Sequence, residues 1–356
     1  MRAADFDYAL PPELIAQHPA PARDHSQLLV LDRNTGALEH RRFFALPEFL
    51  RAGDILVLND SRVIPARLRG VHATTGSPLE ILLLEENSLN DWWAMLRPGK
   101  RARDGTKISL LDPEKNHSAV SAVVAEINAE GHRRLKFSGT ENILHELERL
   151  GEVPLPPYIE RPQQSVEDRD RYQTVYAGRA GSVAAPTAGL HFTTALLEQI
   201  RALGVEVCAV TLHVGLGTFA PVKTELISQH TLHTERFEIS PSAARSINAA
   251  RSTRRRIIAV GTTTARVLES VAASSAQTIS AGAGRTNIFI HPPFQFKIID
   301  GLLTNFHLPR STLLMLVSAF AAPGEVRGRE IILSAYAEAV RRRYRVFSYG
   351  DAMLIL

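Results

Sequence analysis

Residues 63–137 limit the fold of this chain more than any other stretch. Short apolar or alternating runs recur there at 79–84, 92–96, 108–111, 119–127 and 133–137, with Gly, Pro, Asn and Asp between them. No helical period intervenes. Alternation with a period of two marks strands with one buried face, and strands at this spacing predict a small all-β barrel. The flanks have another texture. Before the barrel, an apolar run at 55–58 stops at the polar cluster Asn59-Asp60-Ser61-Arg62. After it, Ser138-Gly139-Thr140-Glu141 reads as a capping box for a helix with Ile143, Leu144, Leu147 and Leu150 on one face, ended by Gly151. Four prolines within 154–162 make a stiff connection.

From about residue 180, helical and strand-like segments alternate. A helix at 193–203 stops at Gly204 and a strand follows at 205–214. Residues 241–251 read as a helix, 257–260 as a strand and 266–273 as a helix. The run 313–320 is apolar throughout, 329–344 has helical spacing, and 346–349 is strand-like. Such alternation predicts an α/β core domain with a largely parallel sheet. The expected architecture is a discontinuous core of residues 1–62 and 151–356, with a smaller all-β barrel domain, 63–150, inserted in the chain. At 356 residues and 45% hydrophobic content the chain can bury both.

Charge excludes little: 41 basic against 37 acidic residues permits a polyanionic partner without demanding one. The single cysteine, Cys208, rules out a disulfide framework or zinc ribbon and reads as a small buried hydrophobe. The first ten residues lack the apolar core of a signal peptide, and no run reaches the ~18 apolar residues of a membrane span. A soluble, cytoplasmic protein with no membrane partner is expected.

Common nucleotide signatures are missing. There is no GxxxxGK[ST] and no GxSxG, and Gly215-Leu216-Gly217-Thr218 lacks the third glycine and helix of a dinucleotide site. Two other segments suit ligands better. GSVAAPTAGLHF at 181–192 combines small residues with Thr187, Gly189 and His191 just before a helix, where free N–H groups are available. LHVGLGTF at 212–219 places His213 at a strand end beside a glycine-rich turn. The plainer alternatives are a glycine-rich connection and a structural histidine.

With those two blocks, NDSRVIPARL at 59–68, RYQTVYA at 171–177, VGTTTARVLES at 260–270, TNFHLPRSTLLMLVSAF at 304–320 and FSYGDAMLI at 347–355 resemble the S-adenosylmethionine:tRNA ribosyltransferase-isomerase family of queuosine biosynthesis. The resemblance runs in order along the chain. It departs from the family at Pro292-Pro293, where Pro-Gly is usual, at Thr264-Ala265-Arg266 in place of Ser-Val-Arg, and at Leu232 in place of Met. The resemblance implies an α/β domain with a smaller β-barrel. It also implies transfer of the ribosyl portion of S-adenosylmethionine to 7-aminomethyl-7-deazaguanine at the tRNA wobble position. Adenine and methionine leave, and the product is epoxyqueuosine-tRNA. S-adenosylmethionine is consumed as a substrate, so no cofactor and no metal are expected, and a monomer is.

That chemistry sets requirements. The sulfonium acidifies the C5′ hydrogens, so a base is needed; the attacking amine must lose a proton and adenine must gain one. His191 and His213 are the candidates for base and acid, with their order open. Asp60 is a third catalytic candidate, a carboxylate able to hold a substrate ammonium. Asn59, Ser61, Arg62, Thr187, Gly189, Gly215, Gly217 and Thr218 are candidate substrate contacts within the same motifs. Thr262, Thr263 and Arg266 open a helix after a strand, a place for the methionine carboxylate. His230, His233 and Glu235 could mimic a metal site, but substrate contact by His233 and Glu235 fits better. Asn305, His307, Tyr349 and Asp351 complete the set. The runs Arg254-Arg255-Arg256 and Arg341-Arg342-Arg343 are candidate phosphate contacts or plain solvated faces. An S-adenosylmethionine methyltransferase should show a glycine-rich first βα turn, and a non-catalytic RNA reader should interleave aromatic and basic strand residues. Neither is found, apart from Trp92 and Trp93.

Overall fold

The computed structural model describes residues 1–161, 166–215, 222, 224–274 and 278–356. Six antiparallel strands, Arg67–His72, Pro78–Ser88, Asp91–Arg97, Arg133–Ser138, His117–Ile127 and Lys107–Leu111, form a closed barrel in that spatial order, because the last pairs back onto the first. Gly151–Glu152 adds a short edge to Arg67–His72. The alternation seen in the sequence is the barrel's inside and outside: Leu79, Ile81 and Leu83 point in, as do Val120, Ala122 and Val124.

The second sheet has nine strands, in the order Gly282–Thr286, Glu235–Ile239, Glu206–Leu212, Ile55–Asn59, Ile257–Val260, Gly301–Asn305, Ala352–Ile355, Gln27–Leu31 and Leu38–Arg42. This sheet bears out the expected parallel core only in part. The middle four strands are mutually parallel and Gln27–Leu31 runs parallel to Ala352–Ile355, but the other neighbours are antiparallel. The architecture is a closed antiparallel barrel beside a large mixed sheet. Strands such as ILVL and IIAV read as unbroken apolar runs because both faces of this sheet are covered. Ile55 and Val57 face one side, under the helices Pro241–Ser252, Thr262–Ser274, Thr312–Ala321 and Gly328–Arg341. Leu56 and Leu58 face the other, against the helix Thr194–Ala202. Among the described residues no helix is long and apolar enough to cross a membrane.

Three local expectations change. The helix Ile143–Leu150 is capped by Asn142, whose side chain accepts the Leu144 N–H, while Ser138 still belongs to a barrel strand and meets Ser121 at 2.9 Å. Of residues 346–349 only Val346 pairs, in an isolated parallel bridge to Ile15; a turn follows with Phe347 at φ 76°, and the strand begins only at Ala352. The barrel strand Arg67–His72 has no counterpart among the predicted runs, since Pro65, Gly70 and two arginines obscure its alternation.

Candidate active site

The parallel strands Ile257–Val260 and Gly301–Asn305 end side by side, and in sheets of this kind ligands bind beyond the carboxyl ends of the strands. Gly261, at φ 89°, turns the chain into the helix Thr262–Ser274. An open cleft lies there. Thr187, Thr262, Thr263, Asn305 and His307 line it, so five of the residues singled out in sequence converge. Tyr158, Phe347 and Ser348 join them. The Tyr158 ring stacks on Phe347 at 4.3 Å, and its hydroxyl lies 2.7 Å from Ser348 Oγ. Tyr158 was hidden by its proline-rich surroundings, which look like a spacer.

Two polar atoms in this cleft stand out. Thr263 Oγ1 and Asn305 Oδ1 are buried and have no hydrogen-bond partner. Such groups cost stability unless something satisfies them. The Asn305 orientation is fixed from behind: Nδ2 donates to His191 Nε2 at 3.0 Å and to the Phe347 and Asp351 carbonyls at 3.3 and 3.4 Å. Because Nε2 accepts, the His191 proton sits on Nδ1, which donates to Ser26 Oγ at 2.8 Å. The ring also stacks on Phe43. Burial, helped by the charges of Arg345 and Arg23, pushes His191 down to about 3. His307 meets Thr304 Oγ1 at 2.9 Å, and burial likewise lowers it to about 3. Both imidazoles are neutral near pH 7.

His191 and Tyr349 line a second, smaller hollow of about 270 Å³ that shares Ser348 with the cleft. The Tyr349 hydroxyl donates to Asp168, which Arg161 also holds. Asp351 faces neither space. Its carboxylate accepts the Gln27 and Arg345 N–H groups at 2.8 and 2.7 Å.

The turn after Leu212 is anchored by a buried ion pair. Glu235 accepts the Gly215 N–H at 3.0 Å through one oxygen and pairs with Arg266 through the other. Arg266 borders an apolar hollow that also contains Leu313, a residue of the cleft wall. His213 is half-buried against Gly181, where a Cβ would come within 3.0 Å of the ring, and its Nδ1 is without a partner. Burial and Arg236 lower its pKa, with Asp60 and Glu238 opposing. The next residue, Val214, lines the cleft. Asp60 accepts the Thr211 hydroxyl at 2.6 Å and borders a separate groove along the strand Glu206–Leu212. Cys208 lies along that groove, and burial pushes its thiol up to about 12.

The remaining candidates lie apart. Asn59 is fully buried and bridges to the Leu212 backbone, Ser61 is buried beside it, and Arg62 is exposed near Glu148. Gly189 sits beneath Tyr176, whose hydroxyl is 2.0 Å from where a Cβ would be. His233 is exposed and 3.6 Å from Glu130 of the barrel, and His230 meets Phe289 edge-on, so neither converges on Glu235. Gly217 and Thr218 lie outside the described residues.

Residues 3–355 match the model of a family described as Queuosine biosynthesis protein. Proteins of Moorella thermoacetica and Symbiobacterium thermophilum named S-adenosylmethionine:tRNA ribosyltransferase-isomerase are 52% and 51% identical to this chain, over 100% of both partners in each case. The crystal structure of an S-adenosylmethionine tRNA ribosyltransferase from Thermotoga maritima covers 99% of this chain and 100% of its own, at 38% identity and a TM-score of 0.54.

Proposed function

The chain belongs to the queuosine biosynthesis protein family, and from that premise we propose that it transfers the ribosyl part of S-adenosylmethionine to a tRNA and isomerises it. The acceptor is the aminomethyl group of 7-aminomethyl-7-deazaguanine at the wobble position, and the product is epoxyqueuosine-tRNA, with adenine and methionine released. S-adenosylmethionine is a substrate here; no further cofactor and no metal enter. The chain acts as a cytoplasmic monomer of two domains, a core of 1–62 and 151–356 and the inserted barrel 63–150.

One observation supports the site above others: two buried polar atoms without a partner, Thr263 Oγ1 and Asn305 Oδ1, belong to residues that line one cleft at the start of a helix. Free N–H groups of the first turn, with the Thr262 and Thr263 hydroxyls, suit the methionine carboxylate. Arg266 already spends its charge on Glu235. The Asn305 carbonyl accepts from an ammonium or a ribose hydroxyl, and His191 holds it in place as a positioning residue. His213 is the base. Its lowered pKa keeps it neutral and able to accept a proton near pH 7, and it adjoins the cleft wall at Val214. The proton taken up there is available to the departing adenine.

The test is a product assay with S-adenosylmethionine and tRNA bearing 7-aminomethyl-7-deazaguanine. Adenine, methionine and the ribosyl-derived nucleoside are expected in equal amounts. Methylated RNA with S-adenosylhomocysteine would overturn the assignment.

A further inference from the structure

We propose that the barrel loop 97–107 is the surface on which this protein holds the sugar-phosphate backbone of its RNA, an inference that rests on the reading of a tRNA substrate. The loop carries Arg97, Lys100, Arg101, Arg103 and Lys107 against one acid, Asp104. All five cations are exposed, and among the described residues none of them is in an ion pair. The other arginine runs differ. Arg341 and Arg342 both close on Glu338 at 2.6 Å, Arg255 meets Glu206 at 3.0 Å, and Arg256 meets Asp54 at 2.5 Å. A phosphate arriving there competes with a carboxylate already in place; at the loop it meets only solvated charge.

The loop is also built to hold its shape. The Arg133 guanidinium donates to the carbonyls of Gly99 at 2.7 Å and Ala102 at 3.2 Å, and to that of Gly131, while Ala102 is buried in the barrel core. A fixed backbone with projecting cations loses little further entropy when it binds a polyanion. Arg133 also ties the loop to the turn that contains Glu130, the residue beside His233. His233 lies two positions before Glu235, which anchors Gly215 next to the cleft wall. The cations therefore lie on the flank of the barrel that meets the core segment leading to the cleft. Charge contacts to phosphates read no bases, which suits a surface that positions a stem while the cleft selects the nucleotide.

The experiment measures binding of an in vitro transcribed tRNA by fluorescence anisotropy between 50 and 250 mM KCl. The variant Lys100→Ala/Arg101→Ala/Arg103→Ala should bind at least ~10-fold more weakly at 100 mM KCl, and its slope of log K against log salt should be shallower by about 2–3, near 0.7–0.9 for each phosphate no longer neutralised. Its affinity for S-adenosylmethionine alone should not change. Arg341→Ala/Arg342→Ala/Arg343→Ala should move tRNA affinity by less than ~2-fold, because those charges are largely spent. An unchanged affinity, or weaker binding with an unchanged slope, overturns the surface. Normal turnover of modified tRNA by the wild type in that case leaves the function standing. A wild type that binds no RNA at any salt sinks both.

Discussion

Glu235→Ala should cost more stability than any surface ion pair in the molecule. Arg266 and Glu235 side chains are 3% and 5% exposed, so removing the carboxylate strands a guanidinium in the interior. Breaking such a pair from one side costs about 3–5 kcal/mol, against a total stability of order 5–15 kcal/mol for a domain. The Arg341–Glu338 pair, with Arg341 68% exposed, should cost under ~1 kcal/mol when Arg341 is replaced by Ala. Replacing both buried partners, as Glu235→Leu/Arg266→Met, removes the stranded charge and should recover most of the deficit. It should not recover turnover, because the Gly215 N–H still lacks its acceptor and the turn after His213 is unanchored. Urea unfolding followed by circular dichroism at 222 nm suits the measurement. Tryptophan fluorescence does not, since both tryptophans lie in the barrel strand Asp91–Arg97. A Glu235→Ala cost under ~1 kcal/mol, or a double variant no more stable than the single one, would refute the reasoning.

In single turnovers His213→Ala should slow the reaction by roughly 10²-fold or more while leaving the fold intact; a near wild-type rate would show His213 to be structural. For the two buried imidazoles the sign follows from native values near 3 against ~6.5 unfolded. The unfolded chain then binds more protons between pH 3 and 6.5, so their contribution is complete above ~6.5 and is lost as pH falls. By pH 5 each should have cost about 2 kcal/mol. A His191→Gln/His307→Gln variant should therefore lose less stability than wild type between pH 7 and 5, and parallel curves would contradict this.

Much of the fold was legible because its signals are local. Alternation in 79–84 and 119–127 is the barrel's pleat, and unbroken runs such as 257–260 are sheet strands covered on both faces. Strand direction was not legible, because whether Ala352–Ile355 runs with or against Gly301–Asn305 depends on the path taken between them. The capping residue was missed by four positions because nothing local says that the barrel strand runs through Ser138. At the site, the motifs marked the loops, but not how their side chains divide. His191 and His213 look alike in sequence; one is locked between Ser26 and Asn305, the other keeps a nitrogen without a partner, and the locking is done by chain segments more than a hundred residues away.

The interior strand Ile55–Asn59 takes Glu206 and Ile257 as the partners of Ile55, and the whole barrel lies between the strand and the first of them. Most barrel neighbours follow one another directly in the chain, and near pairings form sooner than distant ones. During synthesis the barrel can therefore close while this strand, apolar on both faces, is still unpaired. At 5–20 residues per second the wait for residue 206 lasts roughly 7–30 s. For that interval the nascent chain exposes an edge that other chains can occupy, which makes the interval before residue 206 emerges the point at which it most depends on chaperones.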